Sequence, residues 1–323
     1  MLRPERLLEL LACPDDREAL EPRRAELVCA RGHRFPYPDG IPVLLSERIE
    51  ATHPVFAKSL ADARSCVPEE PEPPDGALEP SVQQGIAATC GYLYRHLIGR
   101  LPRYPIPELR LPPGGGGLFL ELGSNWGRWC IAAARLGYVP VGIDPSLEAI
   151  RAARRIAGRL GVQAHYLVAD ARRLPFRDDT FDAGFSYSVL QHFAKENVRL
   201  ALRELRRVLK PGATSLVQMA NSLGLRSAVA RVRERVRPVV AEEFRVRYWT
   251  PWELERTFAA ELGPSELEVD GFFSLNVQAA DLDLMLPRLR AVIRASEATR
   301  AVAARVPPLK LLADSLYLRS TVR

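Results

Sequence analysis

From residue 118 onward the chain alternates short apolar runs with longer stretches whose apolar residues recur every three or four positions. A repeat of two marks a strand and a repeat near 3.6 marks a helix. Strands are therefore expected near 118–122, 139–143, 164–168, 181–186 and 214–219, and helices near 127–137, 146–160 and 195–209. The last helix shows the logic. Leu200, Leu202, Leu205, Val208 and Leu209 recur at helical spacing, and Pro211-Gly212 stops the run. Such alternation predicts an α/β fold with a parallel sheet covered on both faces. Residues 222–262 and 281–308 read as helical insertions, with a strand near 266–275 between them. Ser315–Thr321 alternates and is expected as an added edge strand.

Upstream the pattern changes. Residues 1–48 form a small, turn-rich unit, and 49–80 form a linker containing the Pro/Glu-rich stretch Val67–Asp75. The main domain is expected to run from 81 to 323. Its first segment looks helical up to Leu101, then breaks at Pro102, Pro105 and Pro107. Pro112–Gly117 is a hinge into the first strand.

The densest chemistry lies in 118–127, Leu-Phe-Leu-Glu-Leu-Gly-Ser-Asn-Trp-Gly. An apolar run closes on Glu121, a turn holds Gly123 and Gly127, and an Ala-rich helix begins. A second apolar run then ends at Asp144. A strand feeding a glycine turn and a helix N-terminus makes a nucleotide-binding crevice. An acid closing the next strand can grip both hydroxyls of a ribose. A dehydrogenase fingerprint would need glycine at positions 125 and 128, which hold Asn125 and Arg128. Asparagine tolerates left-handed backbone angles, so the turn is expected to survive Asn125.

More motifs follow in order: His165–Asp170, Leu174-Pro-Phe-Arg-Asp-Asp-Thr-Phe-Asp182, Leu190-Gln-His-Phe193 and Leu202–Gly212. With 118–127 they resemble class I S-adenosylmethionine (SAM) methyltransferases, in the UbiE-like or type 11 branch. The resemblance implies a Rossmann-like, seven-stranded, mostly parallel sheet with helical lid insertions. It implies SAM as cofactor and S-adenosylhomocysteine (SAH) as product. It also implies site roles. Glu121 would hold the ammonium through water, and Gly123, Ser124, Asn125 and Gly127 would wrap the ligand. Asp144 would take the ribose. Asp170 would accept from the adenine amino group, with the Ala171 N–H facing the ring and Ser186 lining the same site.

Methyl transfer is a displacement at a sulfonium, so the protein aligns the reactants and excludes water. A hydroxyl or carbon acid also needs a base. His192 is the candidate base, since histidine titrates near neutrality, with a helix-start or packing role as the plainer reading. Tyr187 could line the methyl channel or bind the acceptor. Phe185-Ser-Tyr-Ser188 differs from the Pro-Pro-containing motif of amine and amide methylators. Cys130 sits within an expected helix rather than at a nucleophile position.

The expected function is methyl transfer to O, C or N of a small molecule or biosynthetic intermediate. A methyltransferase of tRNA or protein is one alternative, and a non-catalytic SAM-binding or scaffold protein is another.

Leu7–Pro14 and Phe35–Leu45 resemble a small zinc-ribbon-like domain that activates tRNA and protein methyltransferases. That domain carries four cysteine ligands; here the second position holds Asp16 and the fourth Gly32 with His33 beside it, so the set that could hold zinc is Cys13, Asp16, Cys29 and His33. Asp16 stands where a thiolate is usual, which weakens a zinc site. A metal-free remnant held by its apolar tail is therefore the favoured expectation, with bound zinc as the alternative.

Composition narrows the partners. Five cysteines, odd in number and widely spread, argue against a disulfide framework. No apolar run approaches the ~18 residues of a membrane span, and the N-terminus lacks the apolar core of a signal peptide. A cytoplasmic protein is expected. The net charge of +6 comes from an Arg-heavy chain. It concentrates in 223–247, where Arg226, Arg231, Arg233, Arg235, Arg237, Arg245 and Arg247 face only Glu234, Glu242 and Glu243. A solvated helix face is the plain reading, and recognition of an anionic small molecule is the sharper one. Thin aromatic interleaving disfavours nucleic acid.

Overall fold

The computed structural model describes residues 4–51, 53–65, 78–89, 92–236, 245–273 and 279–323. The Pro/Glu-rich stretch, Cys66, Cys90 and the segment around Glu242 lie outside these residues. The N-terminal unit runs through α1 (Pro4–Leu10), β1 (Leu20–Arg23), β2 (Glu26–Cys29), β3 (Arg34–Pro36) and β4 (Val43–Leu44). Helices α2 (Val55–Arg64) and α3 (Pro80–Thr89) follow, then a 3-10 turn at Tyr92–Leu97. The main unit alternates β5 (Leu118–Leu122), α4 (Arg128–Arg135), β6 (Val139–Asp144), α5 (Leu147–Arg159), β7 (His165–Ala169), β8 (Phe181–Ser186), α6 (Lys195–Val208) and β9 (Leu209–Ala220). Next come α7 (Leu225–Val236), α8 (Pro251–Glu261), β10 (Ser265–Gly271), α9 (Pro287–Ala303), α10 (Pro307–Lys310) and β11 (Ser315–Thr321).

Strands β1, β2 and β3 form a small antiparallel sheet. The large sheet has the order β10-β11-β9-β8-β5-β6-β7-β4. Its β9-β8-β5-β6-β7-β4 run is parallel, while β11 is antiparallel to both β9 and β10. Two expectations change here. The seven-stranded sheet gains an eighth strand, because the two-residue β4 leaves the N-terminal unit to pair with Val168 and Ala169. And β11 is an interior strand, not an edge, because β10 pairs along its outer side. Period-two alternation reports two faces but not which neighbour supplies the hydrogen bonds.

The core follows the same period. Leu120 and Leu122 turn to the face packed by α6, through Val198, Leu202 and Leu205. Phe119 turns the other way, to Trp129, Phe185 and Tyr317. Tyr166 and Val168 pack with Val43, Phe56 and Leu60, so the N-terminal unit shares a core with the main one. A further cluster joins Val82 and Ile86 of α3 to Tyr94, Trp126, Met285 and Ile293. It lays α3 and the second insertion over the loop after β5. Among the described residues no helix is long and apolar enough to cross a membrane.

Candidate functional site

Strand order reverses at β5, whose neighbours β6 and β8 lead to opposite sides of the sheet. In such sheets a crevice opens beyond the carboxyl ends of the strands at that point. The turn after β5 occupies it. Gly123 has φ 76°, and an added Cβ would stand 2.2 Å from Val189 Cγ2. Gly127 has φ 86°, and its Cβ would meet the Tyr166 hydroxyl at 2.5 Å. Only glycine meets both the dihedral and the space. Asn125 takes φ 46°, and its Oδ1 accepts from the Trp126 N–H at 2.8 Å. The asparagine thus completes the left-handed turn with its own side chain. The N–H groups of Gly123 and Ser124 both donate to Ile143 O at 2.8 Å, which locks the turn onto β6.

Asp144 closes β6 beside that turn. Its Oδ2 accepts from Asn125 N at 3.0 Å and its Oδ1 from Ser146 N at 2.9 Å. Desolvation pushes its pKa up to about 6, against those two bonds. Glu121 is fully buried, and its Oε2 accepts from Cys130 N in the first turn of α4 at 2.9 Å. Burial pushes its pKa up to about 8, opposed by the Cys130 bond and the Arg128 charge. Ser124 and Ser186 are buried, and the Ser186 hydroxyl donates to Leu122 O at 3.2 Å, tying β8 to β5. The expected cofactor residues on β5, β6 and β8 therefore meet at one end of the sheet.

Asp170 stands differently. Its Oδ1 accepts from Arg172 N at 2.8 Å and Arg172 Nε at 3.0 Å. Its Oδ2 accepts from an Arg172 terminal nitrogen at 2.7 Å and shares Nε at 3.2 Å. Both side chains are buried, as is Ala171.

Tyr187 and His192 follow β8. The Tyr187 hydroxyl donates to Asp270 Oδ2 at 2.8 Å, and its ring packs 4.8 Å from Trp129 and 6.0 Å from Tyr317. Burial, then the Asp270 charge, holds its pKa well above the ordinary phenol value, so it donates hydrogen bonds but takes no proton near neutrality. Asp270 Oδ2 also accepts from Ser315 Oγ at 2.7 Å, Ser315 Oγ from Gln218 Nε2 at 2.7 Å, and Gln218 Oε1 from Ser188 N at 2.7 Å. Ser188 Oγ in turn accepts from Gln191 Nε2, which lies 3.5 Å from His192 Nε2. His192 is half-buried at the end of this chain. The chain also holds Ser188 at φ 61°.

Arg247 N donates to Gln191 O at 2.7 Å, and the Arg247 guanidinium donates to His192 O. Arg226 donates to Phe273 O at 3.0 Å. Two of the seven arginines of the basic segment thus bind backbone carbonyls rather than forming a solvated stripe. Trp249 is core, with Lys195 Nζ 4.7 Å above its ring.

Four residues escaped the sequence reading: Arg128, Arg172, Gln218 and Asp270. Arg128 is buried at the start of α4, its guanidinium carbon 5.4 Å from the Trp129 ring and 5.5 Å from Tyr187. An isolated cation opening an apolar helix was the available signal. Gln218 and Asp270 carried none, because their partners lie 30 and 83 residues away.

The N-terminal cluster also forms. One ligand atom from each of Cys13, Asp16, Cys29 and His33 lies within 4.8 Å of all the others. His33 Nδ1 is 2.9 Å from Asp16 Oδ2 and 3.4 Å from both Sγ atoms. Arg48, exposed, reaches His33 Nε2 at 2.8 Å.

Residues 120–217 match the family described as "Methyltransferase domain". By that match this stretch is a methyltransferase domain. The ubiquinone biosynthesis O-methyltransferase of Chelativorans sp. is 31% identical to the chain over 168 residues, covering 50% of this chain and 62% of that protein. The O-methyltransferase cnsE of Penicillium expansum is 32% identical over 112 residues, covering 34% and 40%. The chain thus spans about half the length of these relatives. Among solved structures, magnesium protoporphyrin IX methyltransferase from Synechocystis superposes with a TM-score of 0.45 at 14% identity, covering 77% of this chain and 90% of that one. The methyltransferase domain contains the glycine turn, Asp144, Asp170 and the loop to His192. The N-terminal cluster and the insertions lie outside the matched residues.

Proposed function

We propose that this protein is a SAM-dependent methyltransferase whose acceptor is a small molecule. One observation carries the reading: the left-handed turn at Gly123–Gly127 stands directly beside an Asp144 carboxylate with acceptor capacity to spare. A carboxylate offers about four acceptor positions, and backbone N–H groups use one on each Asp144 oxygen. The two left match the two hydroxyls of a ribose. Glu121 and Arg128 supply one acid and one cation close to the turn, suited to an amino-acid ammonium and carboxylate.

Bound SAM would contribute a methyl group on a positively charged sulfur. The chain's own residues hold it, exclude water and manage the acceptor's proton. His192, at the end of the hydrogen-bonded loop after β8, receives that proton. Trp129 and Tyr187 wall the approach with aromatic surface. The cover formed by α3 and the second insertion supports a small acceptor over a macromolecular one. So does the ubiquinone-biosynthesis name of the Chelativorans relative. Calorimetric titration with SAH tests the reading. Micromolar binding at one site is expected, and no heat from well-folded protein would refute it.

A second reading concerns the N-terminal unit. We propose that Cys13, Asp16, Cys29 and His33 hold a zinc ion. Tetrahedral zinc at its usual bond lengths spaces its ligands by about 3.3–3.8 Å; the 3.4 Å contacts already meet that spacing, and the 2.9 Å contact between His33 and Asp16 would open slightly on loading. Loading moves the His33 proton to Nε2 and displaces Arg48, whose exposed side chain turns away at little cost. The ion would be structural, tying the loop at Cys13–Asp16 to the turn at Cys29–His33. Elemental analysis of protein purified without chelator should give about one zinc per chain. A ratio near zero removes the ion.

A further inference from the structure

The stretch 223–232 holds the densest group of exposed apolar side chains among the described residues: Leu223, Leu225, Val229 and Val232. Val229 and Val232 are 66% and 62% exposed, and Leu225 is 51% exposed. Single exposed apolar residues are ordinary. These last three, however, stand at i, i+4 and i+7 of α7, so they form one stripe along the helix. Leu312, also exposed, lies in the segment that Asn221 holds beside the start of α7, through Leu311 O at 2.8 Å and Ala313 O at 2.7 Å.

The seating of the helix turns the stripe outward. Asp314 is buried, and its Oδ1 accepts from Arg226 N at 2.7 Å and Ser227 N at 2.9 Å. Its Oδ2 accepts from Phe273 N at 2.6 Å. Gly224 lies so close that an added Cβ would stand 2.5 Å from Asp314 Cα. The first turn of α7 is thus fixed to the segments after β10 and before β11, and Ser227 is buried there. Successive helical residues advance by about 100°. Position 227 therefore falls opposite the stripe, as does position 234, which holds the one acid of α7. The same register sets positions 226 and 233 along one flank of the stripe and positions 231 and 235 along the other, and all four are arginine.

An apolar stripe edged on both sides by cations matches a surface that is oily within and negatively charged at its rim, which is a bilayer with anionic headgroups. A second copy of α7 would set arginine flank against arginine flank. Nucleic acid would pair the arginines and leave the stripe in water. We propose that α7 is a peripheral docking helix that lies along an anionic lipid surface, with Leu225, Val229 and Val232 in the acyl boundary and its arginines at the phosphates. Its 12 residues extend about 18 Å, too short to span a hydrocarbon core of about 30 Å. Strands β5, β8 and β9 run parallel, so α7 leaves the sheet at the same carboxyl end as the glycine turn. Docking brings that end of the sheet toward the lipid. It is independent of the SAM reading above.

Flotation of the full-length protein with lipid vesicles tests this. Phosphatidylcholine vesicles containing about one third phosphatidylglycerol should bind at least about tenfold more tightly than pure phosphatidylcholine, and rising salt should weaken the binding. Val229→Asp/Val232→Asp changes two exposed positions. It should lower affinity for the anionic vesicles at least about tenfold and leave the melting curve unchanged. Arg233→Gln/Arg235→Gln should remove most of the preference for anionic over neutral vesicles. Equally weak binding to both vesicle types overturns the inference. So does an aspartate variant that floats as well as wild type. Light scattering that finds a wild-type dimer and a monomeric aspartate variant also overturns it, because the stripe would then be covered by a second copy. If the aspartate variant fails to fold, the glutamine variant decides, and an undiminished anionic preference refutes docking through α7.

Discussion

Asp144 and Asp170 close adjacent strands of one sheet, and along the chain they look alike: an apolar run, then an acid. Their surroundings separate them. Asp144 is held by two backbone N–H groups, keeps acceptor positions open, and has its pKa pushed up to about 6 by desolvation. Asp170 is held by a buried guanidinium that uses both oxygens. An acid anchored by neutral amides retains its charge and directionality for a ligand. One anchored by a cation has already found its partner. The same residue type at equivalent strand ends thus keeps acceptor positions open in one case and forms a buried ion pair with a neighbouring arginine in the other.

The largest effect that sharpens this contrast is expected at Asp144. Asp144→Ala removes two charge-assisted bonds to the ribose, about 3 kcal/mol together, so SAH affinity should fall roughly 100-fold. Calorimetry checks this, and a loss under about fivefold would erase the distinction between the two acids. At Asp170 the expected damage is to folding instead. Asp170→Asn leaves Arg172 buried beside a neutral amide and should cost about 3 kcal/mol of stability. SAH affinity per folded molecule should change less than about threefold. Chemical denaturation together with calorimetry separates the two effects.

The smallest effect concerns Glu121, which shares Asp144's crevice. Its folded pKa of about 8 lies above the ordinary value, so its burial is neutral at pH 4 and grows costly as pH rises toward 8. Glu121→Gln can keep the Cys130 N–H bond without that cost. It should therefore be more stable than wild type at pH 8 and equal to it at pH 4. In the wild type, a cationic ligand favours the carboxylate. SAM binding should then release a proton and tighten between pH 6 and pH 8. Melting curves and titrations in buffers of different ionisation heat read both effects, and a pH-independent SAM affinity would count against Glu121 as the ammonium partner.

Much of this was legible in the chain, where the information is local. The five strands from 118 to 219 and their three helices fall within a few residues of expectation, except that the last strand starts early, at Leu209. A repeat of two or 3.6 is written in neighbouring residues. The left-handed turn at Asn125 was likewise readable, because glycine and asparagine advertise positive φ. The sheet position of β11 was not, since its alternation is identical whether or not β10 pairs outside it. Nor was the eighth strand, since two residues of apolar chain carry no period.

The sequence by itself determined the alternating architecture, the glycine turn, the strand-end acids and the Cys/His set at the N-terminus, because each is specified by residue type and short spacing. Only the tertiary structure decided what those groups touch. It placed Arg172 on Asp170, joined Tyr187 to His192 through Asp270, Ser315 and Gln218, and inserted β4 beside β7. Charge pairing and hydrogen bonding act through space over a few ångströms. Apart from Arg172, two positions from Asp170, these partners lie tens of residues or more apart and leave no mark on one another's local sequence.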